Sequence, residues 1–466
     1  MKALIIAAGK GGRFGGLIKD GPKPLVRLLG LSLISRVILT AKQAGIDEFV
    51  VVVGYLGEKI RAKLGDGGKL GVKITYIQNT NWETGNGVSV LKAKELLKEE
   101  FVLLMADHIF DNRILRELIG HHMHYMRNIR SSGFLAVGRE EASSGDTKVL
   151  EKKGRIVDIG KDIEESNCTD TGIFLCSPKI FFYIGQALKE GKTELADGIR
   201  KAALSRDAEI FDIMQINRYV RSLRKDIKPF WIDIDTKEDL VRAKELLIKN
   251  ACKGRNDLLA TYVNKPIENF IVKRLANTKI TPNQVTILTN IIAYTSTFFF
   301  LSGYLPLASG LTFIVSFMDG VDGKLSRIKI ASSNIGKMEH PFDFLFEHSW
   351  YIALAIYLSG TYGVSAILLG IFILLFDSFS SGCGHVFAGA IRNRSLQDYG
   401  RIEQVFRKFD GRKNSYILFI LVGTLLNTPF YSLVAIAVLS LISALFYCSR
   451  TIKYLYAVDN RKISLG

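Results

Sequence analysis

Apolar residues in the first half of the chain come in short runs separated by charged stretches, and in the second half they fuse into long ones. Leu4–Ala8, Glu48–Gly54, Val72–Ile77 and Phe101–Met105 read as strands. Leu33–Ala44, Gly57–Leu64 and Val90–Leu97 lie between them and read as helices. Strand and helix in alternation predict an α/β domain. Past residue 281 the pattern changes. Six apolar segments follow one another: Val285–Leu301, Leu305–Met318, His348–Leu358, Val364–Phe376, Tyr416–Leu426 and Tyr431–Tyr447. Several fall short of the roughly 20 residues a membrane span needs. They reach that length by drawing in polar ends such as Asp319–Arg327 or Glu339–Glu347.

These patterns divide the chain into an α/β domain over 1–249, a junction over 250–282, a helical membrane domain over 283–450 and a tail over 451–466. In the junction, Ile267, Phe270, Ile271 and Leu275 recur at helical spacing ahead of the first apolar run, as in an interfacial amphipathic helix. A core helix of the first domain would look similar. Thr281-Pro282 then opens a helix, with proline suited to its first turn. The Lys2–Gly9 stretch is too short and too soon interrupted for a signal peptide.

The net charge of +17 raises the question of nucleic acid. The basic residues, however, crowd the ends of the apolar runs, which marks them as membrane-flanking and argues against a nucleic-acid partner. With an even number of spans, the loops 324–339 and 386–414 and the 449–466 tail carry the cations. The links near Gly303, Gly360 and Asn427 carry none. This positive-inside pattern predicts a multi-pass protein of the cytoplasmic membrane, with the first domain and the C-terminus in the cytoplasm. Five cysteines without a C-x-x-C pair argue against a disulfide framework or a zinc site.

Candidate chemistry in the first domain begins after the first strand. Gly9, Gly11 and Gly12 would let backbone N–H groups curl around phosphate oxygens, with Arg13 as a fork for them. No Gly-Lys-Ser/Thr closes the loop, so it is not a P-loop. Lys23-Pro24 adds a second cation. Asp107 stands just past a strand, where α/β sheets place ligands, and Asp233 and Asp235 stand at the end of a strand before a helix, where alternation turns both to one side. An aspartate at a strand end also serves as a helix cap. Three acids with two cations in a phosphate-shaped context fit Mg²⁺-assisted nucleotidyl transfer.

Taken together, Gly9-x-Gly-Gly-Arg-Phe-Gly, Lys23-Pro24, the Asn79–Ser89 turn, Ala106-Asp107 and Asp233-x-Asp235-Thr resemble the MobA-like and sugar-phosphate nucleotidyltransferases, and within them the inositol-1-phosphate cytidylyltransferases. The resemblance implies a Rossmann-like fold. It implies that Gly9, Gly11, Gly12 and Arg13 hold the triphosphate of CTP and that Lys23 steadies the attacked α-phosphate. Thr84, Gly85 and Asn86 would read the base. Asp107 and Asp235, with Asp233, would hold Mg²⁺ or Mn²⁺. Lys148 and Lys161 would meet the sugar- or inositol-phosphate acceptor.

In the second half, Asp319-Gly-Val-Asp-Gly-Lys-Leu-Ser-Arg327 ends an apolar run. Charge there costs several kcal/mol and is rare without a function. Asp319 and Asp322 would share a helix face, with Gly320 and Gly323 leaving room for a bulky group; two aspartates capping a helix end are the alternative. Glu339, Asp343 and Glu347 recur every four residues without basic partners at that spacing, which implies cations. Asp319, Asp322, Gly323, Arg327 and Gly336 resemble the CDP-alcohol phosphotransferase signature, with Ser326 in place of an alanine. Strict spacing from Gly336 lands on His340 and Phe344. Two other registers give Glu339 with Asp343, or Asp343 with Glu347.

This resemblance implies an all-α six-helix transmembrane domain, pairing as a homodimer within the lipid bilayer. Metal would sit on Asp319, Asp322, Asp343 and, in one register, Glu339. Gly323 and Arg327 would meet the CDP-alcohol, and Asp343 or Glu347 would serve as the final base. The fusion resembles bifunctional inositol-1-phosphate cytidylyltransferase and di-myo-inositol phosphate phosphate synthases. It implies CDP-inositol synthesis followed by transfer of phosphoinositol to an acceptor alcohol. A lipid acceptor, or a membrane half kept only as an anchor, are the alternatives.

Overall fold

The aliphatic runs of the first half pair into one sheet, nine-stranded among the described residues. The structure is a computed structural model and describes residues 1–11, 21–125, 132–139, 145–254, 257–331, 338–391, 394–410 and 413–460. The chain divides into two units, Met1–Arg218 with Ile227–Leu246, and Tyr219–Asp226 with Leu247–Gly466.

In the first unit the strand order is Lys73–Gln78, Glu48–Val53, Lys2–Ala7, Phe101–Met105, Cys168–Cys176, Gly133–Gly138, Ala208–Asp212, Arg155–Gly160, Lys148–Lys152. The first four are parallel, and Cys168–Cys176 runs antiparallel to both of its neighbours. Ala3, Ile5 and Ala7 enter one apolar cluster and Leu4 and Ala8 the other. A strand buried on both faces reads as a continuous apolar run, which is why these strands were legible. Lys2–Ala7 lies between Glu48–Val53 and Phe101–Met105, with Ile6 opposite Met105. The strand order therefore switches beside it, and the crevice beyond its C-terminal end receives both Gly9 and Asp107.

Two local expectations shift. The helix expected over Val90–Leu97 spans Asn86–Leu91 instead. Tertiary contacts set its start: the Gly87 N–H donates to the Thr193 carbonyl (3.0 Å), and the Asn86 side-chain oxygen accepts from the Leu195 N–H (2.7 Å). The strand expected to carry both Asp233 and Asp235 ends at Asp233.

In the second unit the six apolar runs fall on six helices, the run ending at Leu426 overshooting its helix by one residue: Pro282–Leu301, Leu305–Lys329, Glu339–Tyr362, Val364–Ala390, Lys413–Leu425 and Pro429–Asp459. Pro282–Leu301, Leu305–Lys329, Val364–Ala390 and Pro429–Asp459 are long and apolar enough to cross a membrane by length and composition. Thr281 caps the first through a capping box with Gln284, with Pro282 in the first turn. Phe300, Trp350, Tyr351, Ile420 and Ile436 are buried together, while Ile287, Ile291, Phe298, Leu368 and Leu445 stay exposed. Polar cross-links tie the helices: Trp350 Nε1 donates to the Ala293 carbonyl (2.9 Å), and Ser296 Oγ to that of Ala308 (2.9 Å).

Ahead of the bundle lies the Lys265–Leu275 helix, with Val272 buried and Phe270 exposed. The short hairpin Tyr219–Val220/Lys225–Asp226 also belongs to this unit. The Tyr219 hydroxyl donates to buried Asp398 (3.1 Å) and Arg224 donates to Gln397 (2.7 Å).

Glu403, fully buried on the Arg401–Phe409 helix, accepts from Arg450 and from the Tyr454 hydroxyl (2.7 Å). Breaking such a pair from one side costs about 3–5 kcal/mol, whereas replacing both partners by apolar groups costs far less. Glu403→Ala should therefore lower the melting temperature of the detergent-solubilised protein markedly, and Glu403→Leu with Arg450→Met should restore most of the loss. Equal losses would contradict the pairing.

Candidate active sites

In the first unit the site grows from a lysine. Lys23 opens a 3₁₀ turn between Pro22 and Pro24, and its side chain is almost fully buried. Gly11 has φ +68°, and a Cβ there would lie 2.8 Å from Lys23 Cβ, so a glycine is required where the loop crosses the lysine stem. Lys23 Nζ donates to Asp107 Oδ2 and to Asp235 Oδ1, each at 2.6 Å, and lies 3.6 Å from Asp233 Oδ1. The three acids come from two places in the sequence that the backbone ties together. Asp233 pairs with His108 across a two-stranded ladder, and the Ile234 N–H donates to the Asp107 carbonyl (3.3 Å). Asp239 then fixes the following turn by accepting from the Thr236 N–H (2.9 Å).

Burial pulls the Lys23 ammonium down, but Asp107 and Asp233 outweigh it and hold it well above the usual lysine range. For Asp233, burial is overcome by His108 and Lys23, which hold its carboxyl below the usual range. Burial likewise opposes the His108 proton, yet Asp233 and Asp107 leave it at about 10. Asp170 behaves oppositely: burial pushes it up to about 6 despite the hydrogen bond from the Gly172 N–H. Asp233 Oδ1 is buried without a hydrogen-bond partner. Three convergent carboxylates with a histidine beside them fit a divalent cation.

The remaining first-domain candidates are placed less tightly. Gly9 has open space around its α-carbon. Thr84 is exposed and donates to the Asn81 carbonyl, and a Cβ at Gly85 would strike the Thr193 carbonyl at 2.6 Å. Asn86 commits its side-chain oxygen to Leu195. Lys148 donates to the Ile163 carbonyl (3.2 Å), and Lys161 is exposed. Gly12 and Arg13 lie outside the described residues.

In the second unit Asp319 and Asp322 share the Leu305–Lys329 helix but turn to different partners. Asp322 accepts from the Thr286 hydroxyl (2.6 Å) of the preceding helix. Asp319 has Asp343 of the next helix as a neighbour and lies 3.1 Å from Lys413 Nζ. The same Nζ is 3.0 Å from Glu347 Oε1 and sits over the Phe346 ring. Lys413 thus draws together carboxylates from two helices. Asp343 and Glu347 both belong to this cluster, whereas Gly336 and the Glu339 side chain lie outside the described residues.

Beside the cluster lies a cavity of about 210 Å³, lined among others by Asp319, Gly320, Gly323, Lys324, Arg327 and Arg407. Both glycines line this cavity, and side chains of the same unit reach into the space beside them. A Cβ on Gly320 would meet the Glu268 carboxylate at 2.5 Å, and one on Gly323 would meet the Arg327 guanidinium at 3.3 Å. Glu268 in turn pairs with Lys324 (2.6 Å). Arg327 donates through Nε to the Ala251 carbonyl (2.8 Å).

Lys413, Glu268 and His108 were not singled out from sequence. Lys413 stands at the end of an apolar run and reads there as a membrane-flanking charge. Its role is visible only once the Lys413–Leu425 helix packs against Leu305–Lys329.

Comparison with known proteins places both halves. The nucleotidyl transferase family matches residues 2–250, and the CDP-alcohol phosphatidyltransferase family matches residues 279–446. A protein of Thermococcus kodakarensis described as "Bifunctional IPC transferase and DIPP synthase" is 30% identical, over 72% of this chain and 71% of its own. One of Aquifex aeolicus with the same description is 29% identical, over 91% of this chain and 92% of its own. Across four relatives so described, the match spans from 65% to 94% of their length. The solved inositol-1-phosphate CTP transferase from T. maritima is 27% identical and covers 53% of this chain and 94% of that one, with a TM-score of 0.44. The chain carries a Rossmann-like nucleotidyl transferase half and a helical CDP-alcohol phosphatidyltransferase half, and it belongs to the enzyme family described as bifunctional IPC transferase and DIPP synthase.

Proposed function

We propose that this chain makes CDP-inositol in its first unit and consumes it in its second. In the first step a phosphate oxygen of inositol 1-phosphate attacks the α-phosphorus of CTP. The bond to the bridging oxygen breaks, and pyrophosphate leaves. The incoming phosphate is already a nucleophile, so no general base is needed, and positioning with charge neutralisation suffices. Lys23 steadies the charge on the attacked phosphoryl group, and the Gly9–Gly12 loop with Arg13 receives the triphosphate. Asp107, Asp233 and Asp235 would hold Mg²⁺ or Mn²⁺, which when bound neutralises phosphate charge.

In the second step an acceptor hydroxyl attacks the phosphorus that carries inositol. The diphosphate bond breaks, CMP leaves, and the hydroxyl proton passes to Asp343 or Glu347. Asp319, Asp322 and Asp343 would hold the cation here. With inositol phosphate as acceptor, the product is di-myo-inositol phosphate phosphate. The observation that carries this reading is the cluster of Asp319, Asp343 and Glu347 around Lys413. It favours the register that pairs Asp343 with Glu347, and it opposes a membrane half kept only as an anchor, because idle buried charges are costly. The unit is proposed to span the cytoplasmic membrane six times, with both termini in the cytoplasm.

Purified full-length protein given CTP, Mg²⁺ and inositol 1-phosphate should release both pyrophosphate and CMP; pyrophosphate without CMP would sink the two-step reading. Lys23→Met should cut pyrophosphate release by about 10²–10³-fold, yet leave CMP release from supplied CDP-inositol intact. Asp343→Asn should do the reverse, with CMP release falling by at least about 10²-fold. Lys413→Met leaves Asp319 and Glu347 without their cation, and CMP release is expected to drop about tenfold or more at unchanged pyrophosphate release.

A further inference from the structure

His108 stands beside the acids assigned to nucleotidyl transfer, and the reaction just described gives it no part. Its Nδ1 lies 2.8 Å from the Thr171 carbonyl oxygen. A carbonyl only accepts, so Nδ1 carries the hydrogen and donates it. A cation binding at Nε2 would displace the proton there and take up the lone pair it leaves. That nitrogen lies 3.5 Å from Asp233 Oδ2 and 3.9 Å from Asp107 Oδ1. One ligand atom from each of Asp107, His108 and Asp233 falls within 4.8 Å of the others. A single ion can touch all three. An imidazole that gives its second N–H to a backbone carbonyl is how metal-bound histidines are usually oriented.

The ring is also held in place. Gly172 has φ +71°, and a Cβ there would sit 2.3 Å from His108 Nδ1, so only glycine lets the imidazole lie against that strand. A bulge between Asp170 and Phe174 re-aims the strand at this point. Trp231 stacks on the ring, its centroid 6.2 Å away at 27°. Asp233 Oδ1 accepts no hydrogen bond within normal range and faces the Lys23 ammonium at 3.6 Å.

We infer that His108 Nε2 is a ligand of the cation in the first unit, and that the site therefore takes a first-row transition ion of the Mn²⁺ class in preference to Mg²⁺. Magnesium favours oxygen and retained water, whereas imidazole raises affinity for the transition ions. The inference rests on reading this unit as a metal-assisted nucleotidyltransferase. If His108 instead serves as a protonated counter-charge to Asp233, no nitrogen reaches the metal.

The test uses Mn²⁺ alone, on the full-length chain carrying Asp319→Asn and Asp343→Asn to silence the other acid cluster. Electron spin-echo spectra of bound Mn²⁺ should show ¹⁴N coupling from an imidazole, replaced by ¹⁵N coupling in protein grown on ¹⁵N-histidine. His108→Gln should abolish the coupling and weaken Mn²⁺ about tenfold, while Mg²⁺ affinity, read by competition, changes little. Bound Mn²⁺ without nitrogen coupling would overturn the assignment, and so would equal weakening of both ions. The isotope comparison needs no substitution at the site, so a variant that fails to fold leaves the test standing. Neither readout requires turnover. Nitrogen coupling without any CTP-dependent pyrophosphate release would sink the proposed reaction and leave the ligand assignment intact.

Discussion

Both halves of this enzyme gather carboxylates around one buried lysine. Two unit charges 4 Å apart at an effective dielectric near 20 interact by about 4 kcal/mol, so three acids drawn to one point repel strongly unless a cation lies among them. Lys23 does this for Asp107, Asp233 and Asp235. Lys413 does it for Asp319 and Glu347, with Asp343 beside them. The two units share no architecture, one a twisted sheet and the other a helical bundle. What they share is a substrate rich in phosphate, and hence the same electrostatic need.

Much of this was legible in the sequence for identifiable reasons. Strands buried on both faces write continuous aliphatic runs, so Lys2–Ala7, Glu48–Val53 and Phe101–Met105 were read within a residue or two. Asp319 and Asp322 stood out because charge after an apolar run is costly. Lys413 did not, because ninety-odd residues separate it from Asp319 and its position suits a flanking charge equally well. His108 was hidden for a similar reason. Its significance comes from a two-stranded ladder with Asp233 and from a carbonyl at Thr171, neither of which has a local signature.

Glycines were the least transparent residues. Gly320 and Gly323 read as room for a bulky group, and they do line a cavity, but the Glu268 carboxylate and the Arg327 guanidinium share that space. Gly85 and Gly87 lie against the backbone at Thr193 in the same way, and their neighbour Asn86 bonds to Leu195. A missing side chain records close approach without recording what approaches, whether a ligand or the protein's own chain.

Burial of the two lysines also bears on how the enzyme tolerates its medium. Exposed ion pairs weaken as dissolved salt rises, because counter-ions screen charges across distances near 8–10 Å at ordinary ionic strength, whereas pairs closed off from solvent are screened far less. Lys23 is only 4% exposed, and the Lys413 side chain only 14%. The acid clusters should thus keep their geometry in concentrated electrolyte, where surface pairs such as Lys98–Glu95 contribute little. A medium crowded with ions would loosen the periphery of this protein before it disturbed either acid cluster.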